Sequence, residues 1–327
     1  MKIFVKHVLT AVAFLGGLVL MLCLLSFAFK PDDDVVNDGI HSINANGIIG
    51  EDDNTIDAIF LGDSEIYASI SPMQIWEEQG IPTFCVSTSG QKLWYSHDLL
   101  QKALRKQSPK IVLLDTDTIF KKFDFDDSLM HRFEMAMPVF KYHDRWKVFV
   151  KEAVGEELDG KDYNDYKGYR YSDKIVPANT DNYMKPSKSV AYIARRNKNY
   201  VKEIKEYCDE RGVKIMFISI PSTKNWDYSK HNAIAELAKE LDVDYIDLNT
   251  LRDEVPIDWS TDTRDKGDHI NYYGAVKVTS YVGQYLKDTG LFTDHRGEEK
   301  YSRWDKLLKS YKAYVDKLLS NGIDDVK

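Results

Sequence analysis

Two short segments of this sequence carry residues that could act together as a nucleophile and a base. Ser64 stands in GDSE, residues 62–65, directly after an apolar run. His269 stands in DKGDHINYYGA, residues 265–275, with two aspartates just before it. A serine hydroxyl becomes a strong nucleophile when an imidazole removes its proton and a carboxylate orients that imidazole. The residue types therefore predict a Ser–His–Asp arrangement. The alternative interpretation of the second segment is an acidic start of the following helix.

The carboxylate that would orient His269 has two candidates. Asp265 lies four residues before the histidine, and Asp268 lies one residue before it. Asp265 is the favoured choice, because the side chain of an adjacent residue points poorly toward its neighbour's ring, and Asp268 is the alternative. The other seven of the eight histidines stand in terminal, helical or irregular charged stretches without special neighbours. We interpret those seven as solvated or capping residues.

Strands and helices alternate along the chain, and this order determines where the chemical groups would lie. Short apolar runs predict strands, and longer stretches with apolar residues three and four apart predict helices. The predicted strands are 56–62, 83–88, 110–116, 214–221 and 244–249, and the predicted helices are 71–80, 93–107, 189–212, 232–242 and 271–290. The alternation predicts an α/β fold in which a parallel sheet carries helices on both faces.

Three of the predicted strands end in residues that suit an active site. Ser64 follows the first strand, STSG at 87–90 closes the second, and Asp115-Thr116-Asp117 closes the third. Sites in parallel sheets form at the carboxyl ends of strands. We therefore expect these segments to meet at one edge of the sheet, with His269 beside Ser64.

These segments, in this order, resemble the sequence blocks of the SGNH/GDSL hydrolase superfamily. The resemblance implies a flavodoxin-like three-layer α/β/α sandwich, with Ser64 as nucleophile and His269 as base. It also implies an oxyanion hole built from the backbone N–H groups of Ser64 and of Gly90, in STSGQ. Gly90 suits that role because a bare backbone can approach a substrate closely.

The sequence departs from the superfamily pattern at two places. The third block of the family has an asparagine that helps to hold the oxyanion, but here LLDTDT offers only Asp115 and Asp117. The usual Asp-x-x-His spacing also fails, because Lys266 stands three residues before His269. These departures motivate an alternative hypothesis, in which the domain is a catalytically impaired scaffold in a membrane O-acyltransferase complex.

The N-terminal region differs from the rest of the chain. Residues 8–29 carry no charge and are long enough to cross a bilayer core. Lys2 and Lys6 precede this segment and predict a cytoplasmic N-terminus with the remainder of the chain outside the cell. A signal peptide cleaved after SFA, residues 26–28, is the alternative, although its apolar region would be unusually long.

The predicted domain organisation has four parts. They are an anchor at 1–30, a tether at 31–55, an SGNH hydrolase-like domain at 56–295 with an insertion at about 120–185, and a C-terminal amphipathic helix at 296–327. The tether prediction depends on the acidic, Asn- and Gly-rich composition of that stretch.

The overall composition excludes several classes of function. The formal net charge of −8 argues against a nucleic-acid partner. Three cysteines do not suggest a disulfide framework, and the acidic run FDFDDS at 123–128 reads as a solvated loop rather than a metal site. We therefore predict no metal and no cofactor.

The predicted membrane anchor favours a substrate that is held at the cell surface. Chains with this topology resemble the alginate acetylation proteins and the D-alanine transfer protein of lipoteichoic acid synthesis. That resemblance implies an esterase or acyltransferase that acts on O-acyl groups of a cell-surface polysaccharide, with a membrane-bound O-acyltransferase as candidate partner. Aromatic side chains are candidates for the floor of a glycan groove, with packing of a lid as the alternative: Trp94, Tyr163, Tyr166, Tyr169, Tyr171 and Tyr183.

Overall fold

The computed structural model describes residues 2–30, 43–122, 129–130, 133–134, 136–154 and 166–324. The chain divides into two compact units. The helical unit consists of Met1–Ile43 and Lys122–Lys161, and the sheet unit consists of Asn44–Lys121 and Asp162–Lys327. Each unit is described in turn below.

The described elements alternate much as the sequence predicts. The strands are β1 Ala58–Gly62, β2 Thr83–Ser87, β3 Ile111–Asp115, β4 Lys214–Ser219 and β5 Asp244–Asp247. The helices are α1 Lys2–Phe29, α2 Ile43–Asn46, α3 Ser64–Ser69, α4 Pro72–Gln79, α5 Leu93–Ala103, α6 Asp117–Phe120, α7 Val139–Tyr142, α8 Trp146–Ala153, α9 Arg195–Asp209, α10 Tyr228–Leu241, α11 Tyr272–Asp288 and α12 Ser302–Asp324.

The five strands form one parallel sheet in the order β2-β1-β3-β4-β5. This is the flavodoxin-like order, in which the chain reverses direction across the sheet after β2. Strands β1, β2 and β3 are buried along their whole length, as strands covered on both faces should be. Helix α11 packs on α3 and α4 on one face, and α5 packs on α9 on the other. The predicted fold class is confirmed.

Two helices begin four or more residues from the predicted position, for identifiable local reasons. Helix α10 begins four residues early, because the side chain of Asp227 accepts hydrogen bonds from the N–H groups of Ser229 and Lys230 and so caps it. Helix α9 begins at Arg195 rather than at 189. The side chain of Asn232 holds the preceding segment extended by donating to the carbonyls of Ser187 and Ser189.

The predicted tether is wrong for its second half. Residues 31–42 lie outside the described residues, but Ala45, Ile48 and Ile49 are buried in the sheet unit. Glu51 is buried with them, and both of its carboxylate oxygens accept from Lys167 Nζ at 2.7 Å. A segment that buries apolar side chains and an ion pair belongs to the folded core, whatever its Asn and Gly content.

Part of the predicted insertion covers an edge of the sheet. Lys167 accepts a hydrogen bond from the N–H of Cys85, in the outer strand β2. Gly168 has φ +89°, and a Cβ on it would collide with the carbonyl oxygen of Cys85, so only glycine allows this close approach. Arg170 donates its N–H to the carbonyl of Tyr67. The contact protects strand β2 from pairing with another chain.

The helical unit contains α1, α7 and α8. Among the described residues, α1 is the one helix long and apolar enough to cross a membrane. Its C-terminal turn contacts the other two helices: Ser26 Oγ accepts from the N–H of Val139 at 3.2 Å, and the ring of Phe29 packs edge-on against Phe149 with centroids 5.6 Å apart.

Candidate active site

The serine of the first segment stands at the sharp transition from β1 to α3. Asp63 caps α3 by accepting from the N–H of Glu65 at 3.0 Å, which makes Ser64 the first residue of the helix. Gly62 is required here, because a Cβ would collide with the side chains of Asp115 and Ile66. The turn therefore displays the hydroxyl at the carboxyl end of β1, with the Ser64 side chain almost buried.

The histidine of the second segment is held by a rigid loop. Thr263 Oγ1 donates to the carbonyl of His269 and accepts from the N–H of Gly267. Gly267 has φ +87°, and a Cβ there would collide with Thr223, so this turn also requires glycine. Asn271 then caps α11 by accepting from two backbone N–H groups. The imidazole is thus fixed from both sides along the chain.

The structure brings Ser64, His269 and Asp265 together. Ser64 Oγ lies 2.8 Å from His269 Nε2, and His269 Nδ1 lies 2.6 Å from Asp265 Oδ2. Asp265 Oδ1 also accepts from the backbone N–H of His269 at 2.7 Å, so its carboxylate grips both the ring and the backbone. In this geometry, an imidazole that donates from Nδ1 to the carboxylate leaves Nε2 facing the serine hydroxyl.

Asp268, the alternative acid, does not make this contact. Its Oδ2 lies 4.0 Å from His269 Nδ1, and its Oδ1 instead accepts from Asn225 Nδ2 at 2.6 Å. The adjacent position turns the side chain away from the ring, as expected from the sequence. The geometry therefore assigns the orienting contact to Asp265.

The sequence names two backbone N–H groups, those of Ser64 and Gly90, as candidates for an oxyanion hole. Ser64 begins α3, so its N–H has no carbonyl one turn earlier to bond. Gly90 has φ +61° in an exposed turn after β2, and nothing lies within 4 Å of where its Cβ would be. Because β2 pairs with β1, with Ser87 opposite Gly62, this turn follows the carboxyl end of the neighbouring strand. The Cβ side of Gly90 is open.

The two aspartates of the third block have different surroundings. Asp115 is fully buried at the end of β3, and burial, followed by the charges of Asp63 and Asp117, raises the pKa of its carboxyl well above the ordinary value. Asp117 makes ion pairs with Lys121 at 2.9 Å and with Lys230 at 3.1 Å. Burial lowers the pKa of Lys121, but Asp63 and Asp117 outweigh it and raise that pKa overall.

Sequence analysis missed four polar residues that surround the serine: Glu65, Lys121, Asn225 and Lys230. Glu65 is buried, and desolvation, followed by the three neighbouring aspartates, raises its pKa well above the ordinary value. Asn225 Nδ2 donates to Glu65 Oε1 at 2.8 Å as well as to Asp268, and so ties the serine helix to the histidine loop. The position of Asn225 after β4, at the same edge of the sheet, could have predicted its place near the site.

The described residues contain further imidazole–carboxylate pairs that the sequence interpretation overlooked, at His295, whose Nε2 lies 3.2 Å from Asp57 Oδ2, and at His231. His231 Nδ1 lies 2.7 Å from Asp247 Oδ2, which also accepts from Trp226 Nε1 at 3.0 Å. His231 is therefore not a residue without special neighbours, but these contacts tie α10 to the end of β5. No serine contact to its ring is present among the described residues.

One group of side chains has the ligand types of a metal site. Oxygen and nitrogen atoms of Asp265, Asp268 and His269 lie within 4.8 Å of one another. Both imidazole nitrogens, however, already make short contacts, one with Asp265 and one with Ser64. The donor set therefore fits proton transfer better than metal ligation. The acidic run at 123–128 lies outside the described residues.

The aromatic candidates for a glycan groove have different surroundings. Tyr166, Tyr169 and Tyr171 pack against Tyr311, Tyr314 and Tyr272, which places them under α12 and α11. Trp94 contacts its neighbour Tyr95, and Tyr163 lies outside the described residues. Tyr183, in contrast, lines a cavity of about 260 Å³ together with Trp259 and Arg252.

Comparisons with known proteins give matches among solved structures alone. No protein-family model and no curated protein sequence matches this chain. Similar structures include a putative acylhydrolase from Bacteroides fragilis NCTC 9343, with 10% identity over 79% of this chain and 98% of that one and a TM-score of 0.41. A GDSL-like lipase from Bacteroides thetaiotaomicron VPI-5482 has 9% identity over 77% and 98%, with a TM-score of 0.41. An acetyl xylan esterase has 15% identity over 71% and 100%, with a TM-score of 0.39. Similarity at this level does not assign the chain to a family.

Proposed function

We propose that this protein is a membrane-anchored serine esterase or acyltransferase that acts on O-acyl groups of a cell-surface polysaccharide. The observation that carries the proposal is the continuous contact from Ser64 Oγ to His269 Nε2 and from His269 Nδ1 to Asp265. A nucleophile, a base and an orienting acid in this geometry are the requirements of acyl transfer through a covalent intermediate.

In the first step, Ser64 Oγ attacks the carbonyl carbon of the ester while its proton passes to His269 Nε2. Asp265 stabilises the imidazolium that forms, because its carboxylate accepts from Nδ1. The negative charge on the former carbonyl oxygen is held by the N–H groups of Ser64 and Gly90. Each such donor contributes about 3–4 kcal/mol to transition-state stabilisation in comparable sites.

In the second step, the tetrahedral intermediate collapses and breaks the bond to the alcohol oxygen of the ester. His269 returns its proton to that oxygen, so the alcohol leaves and the acyl group stays on Ser64. Water or a sugar hydroxyl then attacks the acyl group, giving up its proton to His269. The products are a carboxylic acid in hydrolysis or a new ester in transfer, and Ser64 recovers its proton.

The acidic residues around Ser64 are compatible with an oxyanion. Asp117 is neutralised by two lysines, and Asp63 lies 2.6 Å from Lys121 Nζ. The raised pKa values of Glu65 and Asp115 favour the neutral, protonated carboxyl at the pH where the other acids are ionised. The net negative charge near the nucleophile is therefore smaller than the number of carboxyl groups suggests.

The cavity beside the histidine loop supports the proposal that the substrate contains a saccharide. Trp259 and Tyr183 offer aromatic rings, and Arg252 adds a guanidinium group at the rim. Pro221 lines the same cavity, and its neighbour Ser222 donates to the carbonyl of Asp268, one residue before the base. Apolar rings with a few polar groups are the usual composition of a small-ligand pocket.

The anchor supports a substrate at the cell surface. Helix α1 is exposed along nearly its whole length and has the composition of a membrane span. A tethered enzyme gains effective concentration toward a polymer held at the same surface. The proposed partner is a membrane-bound O-acyltransferase that delivers the acyl group, and the proposed orientation leaves the N-terminus in the cytoplasm.

The test compares wild type with S64A on a chromogenic acetyl ester. We expect loss of hydrolysis by a factor on the order of 10⁶, together with loss of labelling by a fluorophosphonate probe and of acylation of surface polymer in cells. The scaffold hypothesis predicts that S64A leaves surface acylation unchanged. Full activity in S64A would contradict the proposed mechanism.

A further inference from the structure

Helix α8 carries a stripe of apolar side chains that are exposed among the described residues. Trp146, Val150 and Val154 are 50%, 51% and 67% exposed. The first two stand four residues apart on the helix, and Val154 follows at the same interval just past its end, so the three lie along one side. Large apolar side chains clustered on a water-exposed surface mark an interaction site.

The stripe lies next to a contact between α8 and the C-terminal turn of α1. Phe149, three residues after Trp146 and therefore one turn along the helix, packs edge-on against Phe29. Arg145 donates from its guanidinium to the carbonyl of Phe29 at 3.0 Å and lies over the Phe149 ring. The side of α8 next to the exposed stripe therefore contacts α1, whose own surface is apolar and exposed.

The helical unit has a second set of exposed rings. Phe140 in α7 and Phe133 are exposed, and their rings meet edge-on with centroids 6.2 Å apart. Lys147 is exposed, lies 5.9 Å from the ring centre of Trp146 and pairs with Asp144 at 2.8 Å. We call Phe133, Phe140, Trp146, Val150 and Val154 the apolar platform. Basic and aromatic residues around an apolar stripe are the composition of helices that lie in a membrane interface.

We propose that the apolar platform inserts into the interfacial region of a phospholipid bilayer, beside the point where α1 leaves the membrane. This inference rests on the proposed anchoring role of α1. Lipid is the occupant because the platform is continuous with a helix surface that lipid would cover. Helix α8 is eight residues long and cannot span a bilayer, so it lies in the interface plane. An interfacial position suits Trp146, because tryptophan side chains are enriched at membrane–water interfaces.

Trp146 fluorescence provides the test. The full-length protein is reconstituted into vesicles of phosphatidylcholine and phosphatidylglycerol, with and without bromine near the headgroup end of the acyl chains. We expect brominated lipid to quench part of the tryptophan emission, and we expect W146F to lose that quenched component. W259F is the matched control, because Trp259 lies in the sheet unit and is half-buried, and it should keep the quenched component.

The outcomes separate the inference from the anchor on which it rests. If the protein fails to float with the vesicles, the anchor and the platform are both contradicted. If it floats but W146F is quenched as strongly as wild type, the platform alone is contradicted. Trp146 emission that is unquenched in pure lipid but shielded from aqueous quencher in native membranes would also contradict it, in favour of a protein partner.

Discussion

Two carboxylates of the histidine loop make different contacts. Asp265 contacts both the ring and the backbone of His269, whereas Asp268 is turned toward Asn225. The carboxylate on Nδ1 fixes the tautomer in which Nε2 can accept the serine proton. The neighbouring carboxylate has a different task, because it joins the histidine loop to Glu65 through one amide group.

Replacement of these two aspartates by asparagine should separate their roles. D265N should lower kcat for ester hydrolysis on the order of 10⁴-fold, because the amide stabilises the wrong imidazole tautomer. D268N is the matched control and should lose much less activity, since its carboxylate lies 4.0 Å from the ring nitrogen. Steady-state kinetics on a chromogenic ester measures both. Equal losses in the two variants would contradict the assignment.

The buried carboxyl of Glu65 should make the stability of the fold depend on pH. Its pKa is raised in the folded protein above the ordinary value of 4.5, chiefly by burial. Above pH 4.5 the folded state therefore binds more protons than the unfolded state, and the free energy of unfolding falls as pH rises through this window. E65Q cannot ionise, and it should remove part of that fall.

Urea unfolding of the full chain in detergent, at several pH values above about 4.5, measures the difference. Wild type should lose more unfolding free energy than E65Q over the same range, while Asp115, whose pKa is also raised, leaves a residual slope in both. Identical pH dependence in the two proteins would show that Glu65 ionises normally in the folded state.

At the scale of elements, the sequence determined most of the positions that matter. Apolar runs and helical spacing predicted the five strands to within two residues at each end, because the strands of a sheet covered on both faces are buried without interruption. Sites in parallel sheets lie at the carboxyl ends of the strands. This rule predicted that Ser64, Gly90 and the Asp115 segment lie at one edge of the sheet. The distance from Ser64 to His269 follows from that topology together with the Gly267 turn.

Other features depended on contacts that no local pattern encodes. Asn225, Lys121 and Lys230 are single polar residues in loops or helix starts, and their importance appears when the ends of β1, β3 and β4 come together. Residues 44–55 resembled a tether by composition, but Ile48, Ile49 and Glu51 fit a gap in the sheet unit. Composition reports average polarity, whereas burial depends on which partner surface is available.

At the scale of the sheet unit, one buried ion pair joins three distant parts of the chain. Lys167 is fully buried and holds Glu51 in a two-pronged contact, while its Nζ lies 4.6 Å from the ring centre of Trp304 in α12. A buried charge pair costs desolvation but becomes highly destabilising when one partner is removed. The pair therefore holds together three segments, around Glu51, Lys167 and Trp304, that the sequence pattern places outside the core.

Substitution of Lys167 should reveal this dependence. K167M leaves Glu51 buried without its partner and should lower the free energy of unfolding by about 3–5 kcal/mol. The double variant E51L/K167M should lose less than the sum of the two single variants, because it leaves no unpaired charge. Denaturant unfolding measures the cycle. K312M, which removes an exposed pair with Glu77, is the control and should change stability little. Additive losses would contradict the coupling.

The position of Trp304 has a consequence for the order in which the protein matures. Trp76 in α4 and Lys167 both contact this indole, yet it lies more than two hundred residues after the former along the polypeptide. The surface of Trp76 that receives this indole must therefore stay uncovered until the segment that carries residue 304 has been made. For a domain that folds outside the cell, that segment must also cross the membrane before the contact can form.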